Sequence, residues 1–95
     1  MYAVIRRYGP GTGIFDVVAT REQEVREIIS GVPGFVAYYV VRSGTVDASI
    51  TICQDQRGTT ESTRRAADWV RQNVPAAVGS PPEIIEGEVG LSFTS

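Results

Sequence analysis

Phe35-Val-Ala-Tyr-Tyr-Val-Val41 is the stretch that decides the fold. Its aromatic and β-branched residues favour an extended chain. Successive side chains of a strand point to opposite sides of a sheet, so Phe35, Ala37, Tyr39 and Val41 share one face and Val36, Tyr38 and Val40 the other. Both faces are apolar, and both need a cover. The rest of the chain has enough helix to cover one. A second copy of the protein is the most economical source of the other cover, so a homodimer is expected.

Upstream, Tyr2–Tyr8 reads as a strand ended by Gly9-Pro-Gly-Thr-Gly13. Thr12 is placed as the N-cap of a helix. That helix follows from Phe15, Val18, Glu22, Val25, Ile29 and Val32, which recur at spacings of three and four, with Gly31 and Pro33 as its stop. Downstream, Ser43-Gly44-Thr45 reads as a tight hairpin connection. Val46–Cys53 then alternates cleanly, with Val46, Ala48, Ile50 and Ile52 on one face and Asp47, Ser49, Thr51 and Cys53 on the other. A second helix is placed at roughly Thr59–Val74, its apolar side formed by Ala66, Trp69, Val70, Val74 and Ala77. Pro75 disturbs its end. Ser80-Pro-Pro82 is a turn, Glu83–Val89 is a last strand, and Leu91-Ser-Phe93 can extend it past Gly90.

The order strand, helix, strand, strand, helix, strand predicts an α+β, ferredoxin-like βαββαβ domain over residues 1–95. Right-handed crossovers place both helices on one face of a four-stranded antiparallel sheet. The other face stays bare in a single chain.

Composition narrows the chemistry. The net charge is −2 with no charged block, which points away from nucleic acid. All nine basic residues are arginine, so neither Schiff-base lysine chemistry nor a Walker-type phosphate lysine is available. The chain has no histidine and one cysteine, Cys53. Histidine-based triads, metal clusters and intrachain disulfides therefore drop out, and no metal, haem or flavin cofactor is expected. No apolar run is long enough to span a membrane, and the first residues do not read as a signal peptide. A cytoplasmic protein is the expectation.

Several side chains are candidates for a site. Trp69 shares a helix row with Ser62, Ala66 and Asn73, which would suit the wall of a pocket for a flat ligand. Equally, Trp69 can simply fill the core, with Ser62 and Asn73 at its rim. Arg6 and Arg7 diverge to opposite faces, so a covered sheet puts at least one of them in need of an anion. That anion is a ligand oxyanion or an internal partner such as Asp47 or Glu86. Tyr38 and Tyr39 diverge in the same way, as core residues or as hydroxyls able to orient a ligand. Gly9, Gly11 and Gly13 do not have the dinucleotide spacing. Cys53 reads as an inert thiol, and Glu61, Arg64, Arg65, Asp68 and Arg71 as a solvated ion-pair surface.

Val32-Pro-Gly-Phe-Val-Ala-Tyr-Tyr-Val-Val-Arg42, the hairpin that follows and Ala66-Ala-Asp-Trp69 together resemble the dimeric α/β-barrel superfamily, and within it the antibiotic-biosynthesis monooxygenase-like proteins. The resemblance covers nearly the whole chain. It implies a dimer whose sheets pack face to face, with a pocket between sheet and helices in each subunit. Two positions depart from the family's signatures. Arg65 stands where the cofactor-independent quinone-forming branch has an asparagine four residues before the helix tryptophan. Arg6-Arg7-Tyr8 stands where the haem-degrading branch has a late strand-one asparagine, and the haem-ligating histidine has no counterpart. The resemblance thus implies a cofactor-independent monooxygenase acting on a small aromatic or polyketide-like substrate. Trp69 and a tyrosine would hold the ring, and an arginine would stabilise an enolate or phenolate. The alternative is a non-catalytic homodimer that binds a small hydrophobic ligand or a protein partner.

Overall fold

The structure, a computed structural model, describes all 95 residues, Met1–Ser95. The elements are β1 (Tyr2–Tyr8), α1 (Ile14–Thr20), α2 (Glu22–Ser30), β2 (Phe35–Ser43), β3 (Val46–Cys53), α3 (Gln56–Asn73), a 3-10 turn (Pro75–Ala77) and β4 (Glu83–Glu88). The strands form one sheet in the order β2-β3-β1-β4, every neighbouring pair antiparallel. This is the ferredoxin-like α+β arrangement that the order of elements predicts.

The first helix is broken in two. Arg21 leaves helical geometry (φ −120°, ψ 34°) and serves as the C-cap of α1 and the N-cap of α2. The Thr20 hydroxyl donates to the Val17 carbonyl at 2.9 Å. That local bond competes with the helical ladder in a segment already rich in β-branched residues. The N-cap of α1 is Gly13, not Thr12. Thr12 is buried, and its hydroxyl finds no partner. The helix expected from Thr59 starts earlier, at Gln56, because Asp55 caps it by accepting from the Arg57 N–H at 3.1 Å. Leu91 and Phe93 lie beyond β4 and outside any strand.

The faces of β2 also differ from simple alternation. A bulge falls between Phe35 and Ala37, so Phe35 pairs with Cys53 and Ala37 with Ile52, and Val36 is the extra residue. Phe35 consequently joins Tyr38 and Val40 against the core, while Ala37, Tyr39 and Val41 face away from it. One inserted residue flips every side chain on one side of it. The hairpin turn is Gly44-Thr45, with Gly44 left-handed at φ 61°.

The sheet face under the helices has two characters. Toward α1 and α2, an apolar core gathers Tyr8, Ile14, Val18, Val25, Ile29, Trp69, Val74 and Ala77. Toward α3 it is polar: Arg6, Ser49, Thr51, Thr59 and Ser62 are all buried. The inner row of β3 is its hydrophilic one, Asp47, Ser49, Thr51 and Cys53. The apolar row, Val46, Ala48, Ile50 and Ile52, is turned outward. With Ile5 it lies beside Tyr39 (56% exposed) and Ile85 (62% exposed), on the face that carries none of the three helices.

Candidate active site

The register places Arg6 of β1 opposite Ser49 of β3 and Ile84 of β4, pointing under α3. Its side chain is 1% exposed. The guanidinium donates to four hydroxyls: Nε to Thr63 Oγ1 at 3.1 Å, Nη1 to Ser49 Oγ at 3.0 Å and Thr51 Oγ1 at 3.2 Å, and Nη2 to Ser62 Oγ at 2.6 Å. None of these acceptors carries charge. No carboxylate lies within ion-pair distance of it. Neither internal partner suggested by the sequence reaches Arg6. Asp47 accepts from the Phe15 N–H at 3.0 Å and pairs with Arg42 at 3.5 Å. Glu86 is exposed and acts on Arg6 only through space.

A buried cation without a counter-ion is costly, on the order of several kcal/mol even after hydrogen bonding. Burial pulls the Arg6 guanidinium below its ordinary pKa, with the neighbouring Tyr8, Tyr38, Glu86 and Cys53 acting in the opposite direction. It remains a cation at neutral pH. Tyr8 and Tyr38 stand beside it, both against Ser49. Burial raises both phenols, and Arg6 works against that rise. Both are therefore neutral at pH 7. Cys53 is fully buried and its thiol is pushed up by burial, so it offers no thiolate.

Two spaces meet at this cluster. An inner void of about 20 Å³, room for roughly one water, lies among Tyr8, Tyr38, Ser49, Ala66, Trp69 and Val70. An outer cleft of about 410 Å³ opens between α3 and β4, with Arg6, Tyr8, Thr63, Val70, Arg71, Ile84 and the Ala77–Pro82 segment as its walls. The outer cleft has the size of a small-molecule site. Tyr8 and Val70 line both spaces and separate them.

The residues singled out from the sequence fall into separate places. Arg6, Ser62 and Tyr38 come together beneath α3. Trp69 lies in the core beside the inner void, and its indole N–H donates to Glu24 Oε1 at 2.7 Å. Asn73 is turned from the cleft: its amide donates to the Trp69 carbonyl and accepts from Arg21. Arg7 and Tyr39 lie on the opposite face of the sheet and are exposed. Arg65 donates to Glu61 at 2.8 Å and to the Ile28 carbonyl at 2.9 Å, tying α3 to α2. Sequence reasoning missed Ser49, Thr51 and Thr63 as partners of Arg6, and Tyr8 as its neighbour. The signal for two of them was present: Ser49 and Thr51 are hydroxyls two residues apart on one face of β3.

No protein-family model matches the chain, and no curated protein matches it. Solved structures do. The monooxygenase of the gene ActVA-Orf6 of Streptomyces coelicolor, in complex with nanaomycin D, aligns over 99% of this chain and 92% of its own, with a TM-score of 0.67 and 16% identity. The fold is that of the antibiotic-biosynthesis monooxygenase-like proteins. SnoaB, a cofactor-independent oxygenase from Streptomyces nogalater, aligns over 99% of this chain and 97% of its own, with a TM-score of 0.61 and 16% identity. MhuD, holding two manganese protoporphyrin IX molecules per active site, aligns over all of both chains with a TM-score of 0.71 and 15% identity. These neighbours share an architecture with this chain and differ among themselves in what they hold.

No helix is long and apolar enough to cross a membrane. No three His, Cys, Asp or Glu side chains converge.

Proposed function

We propose that the protein is a cofactor-independent monooxygenase acting on a small aromatic or polyketide-like substrate, as a homodimer. The observation that carries this reading is Arg6, a buried cation held by four neutral hydroxyls at the wall of a largely apolar cleft that Tyr8 also lines. Such a group is placed to stabilise an enolate or phenolate oxygen without reorganising at the moment of reaction. The ionised substrate gives electrons to dioxygen. One oxygen atom enters the product as a carbonyl, and the other leaves as water with the two hydrogens lost from the oxidised carbon. The likeness to a monooxygenase and to a cofactor-independent oxygenase supports the reading. The outward apolar face of Tyr39, Val41, Ile50, Ile52 and Ile85 supports the dimer, since so large a patch is unusual on a monomer.

Oxygen uptake on a panel of anthrone-like and hydroxyquinone-like compounds tests the activity. Arg6→Gln should lower turnover on the order of 10²-fold, the loss typical of a missing oxyanion donor. Arg65 supports a second reading. It stands at the family's catalytic asparagine position and is committed to Glu61 and Ile28, which fits a binding module without chemistry. Tight binding of such compounds with no oxygen uptake would favour that module.

A further inference from the structure

We infer that the cleft between α3 and β4 takes its ligand as a preformed organic monoanion, an acidic phenol or an enolised β-dicarbonyl, and that this chain supplies no base to make it. The inference rests on the reading of Arg6 as an oxyanion donor and specifies which ligands that donor selects. A guanidinium has five N–H donors. Four hydrogen bonds to Thr63, Ser49, Thr51 and Ser62 leave one Nη2 N–H uncommitted. The charge itself is uncommitted as well.

A base within reach of the cleft would have to come from the groups around Arg6. The titratable ones are Tyr8 on β1, Tyr38 on β2, Cys53 on β3 and Glu86 on β4. Burial keeps the two phenols and the thiol protonated. Glu86 is exposed and is not part of the cleft wall. α3 presents Ser62, Thr63 and, at the cleft wall, Arg71, a second cation, paired with Asp68 at 2.7 Å. No carboxylate, imidazole or thiol lines the cleft. A neutral phenol would therefore find no side-chain base in the cleft wall to take its proton. A ligand already ionised in water needs only a counter-charge, and Arg6 is one. The remaining lining is mostly apolar or small, from Ala67, Val70, Ala77 and Val78 to Pro81 and Pro82, and suits a flat ring rather than a phosphate.

Spectrophotometric titration with 4-nitrophenol, about half ionised near neutral pH, tests this against 4-cresol, which is un-ionised there. Wild-type protein should increase the yellow phenolate band below the free compound's midpoint. It should bind 4-nitrophenol at least about tenfold more tightly than 4-cresol, the equivalent of about one pH unit in the bound phenol's ionisation. Arg6→Gln should remove that preference, and Arg6→Lys, which keeps the cation, should restore part of it. If Arg6→Gln does not fold, the wild-type pH series still decides: affinity for 4-nitrophenol should fall as the pH drops through its ionisation. Equal and pH-independent binding of the two phenols would overturn the inference while leaving an aromatic pocket in place. Selective binding of benzoate, with neither phenol bound, would overturn the phenol and enol class. Failure of every aromatic probe to bind would overturn the site itself.

Discussion

Gly58 packs the start of α3 directly against Pro33 and Cys53, and Gly58→Ala is a sharp test of that contact. A methyl group there would run into the Pro33 carbonyl oxygen and stand 2.7 Å from Cys53 Cβ and 2.8 Å from Cys53 Sγ. Helix propensity alone predicts that alanine would stabilise α3 by about 1 kcal/mol. The contact reverses the sign. The nearest atom is backbone, and Cys53 is fully buried, so neither neighbour can swing aside. Restoring an ordinary separation requires the start of α3 to retreat by about 1 Å. Overpacking of this severity costs about 2–3 kcal/mol, and the net loss after the propensity gain is about 1–2 kcal/mol. In a domain of this size that corresponds to a melting temperature lower by about 5–15 °C. Ser62 lies one turn further along the same helix face, 2.6 Å from Arg6 Nη2, so the retreat should also lengthen that bond and weaken anion binding. Thermal and urea unfolding measure the first effect, and titration with 4-nitrophenol the second. Gly9→Ala is the control, because a methyl there meets nothing within 4 Å and the backbone is not left-handed. A Gly58→Ala protein as stable as wild type, or more so, would show that α3 does not seat against Pro33 and Cys53 as described.

Trp69→Phe should destabilise the fold by about 1–3 kcal/mol in urea, because the ring is part of the core and its N–H is bonded to Glu24. It should leave 4-nitrophenol affinity unchanged, since Trp69 borders the inner void and not the outer cleft. Glu61 is held at about 2 by hydrogen bonds from Arg64 and Arg65. Its folded pKa lies below the unfolded value of 4.5, so its stabilisation is complete above pH 4.5 and is lost as the pH falls toward 2. The stability difference between wild type and Glu61→Gln should close across that window, and should be smaller throughout in about 1 M salt. Ile50→Glu, in the middle of the outward apolar row, should give the mass of a single chain in light scattering, where wild type gives twice that mass; a wild-type monomer would remove the case for the dimer.

The alternation of β3 and the spacing of apolar residues in α2 and α3 were legible without coordinates, because both depend on periods of 2.0 and 3.6 residues that the chain carries locally. The order of elements then restricts the topology to very few choices. The break at Arg21 was not legible. The 3.6-residue spacing runs through it with only Glu22 interrupting the apolar stripe, and the competing Thr20 hydroxyl bond is a matter of a single rotamer. The bulge at Val36 was not legible either, since a bulge leaves composition unchanged and moves only the register.

The candidate site divides in the same way. The sequence by itself determined that one of Arg6 and Arg7 would lie against a covered face, because adjacent strand residues must diverge. It also determined that no histidine or lysine is available to the site. Only the tertiary structure decided that the arginine is Arg6, and that its partners are Ser49, Thr51, Ser62 and Thr63 rather than Asp47 or Glu86. Those partners are 43 to 57 residues away along the chain. Local patterns constrain neighbours in sequence; charge burial is fixed by which row of β3 turns inward and by how closely Gly58 lets α3 descend upon it.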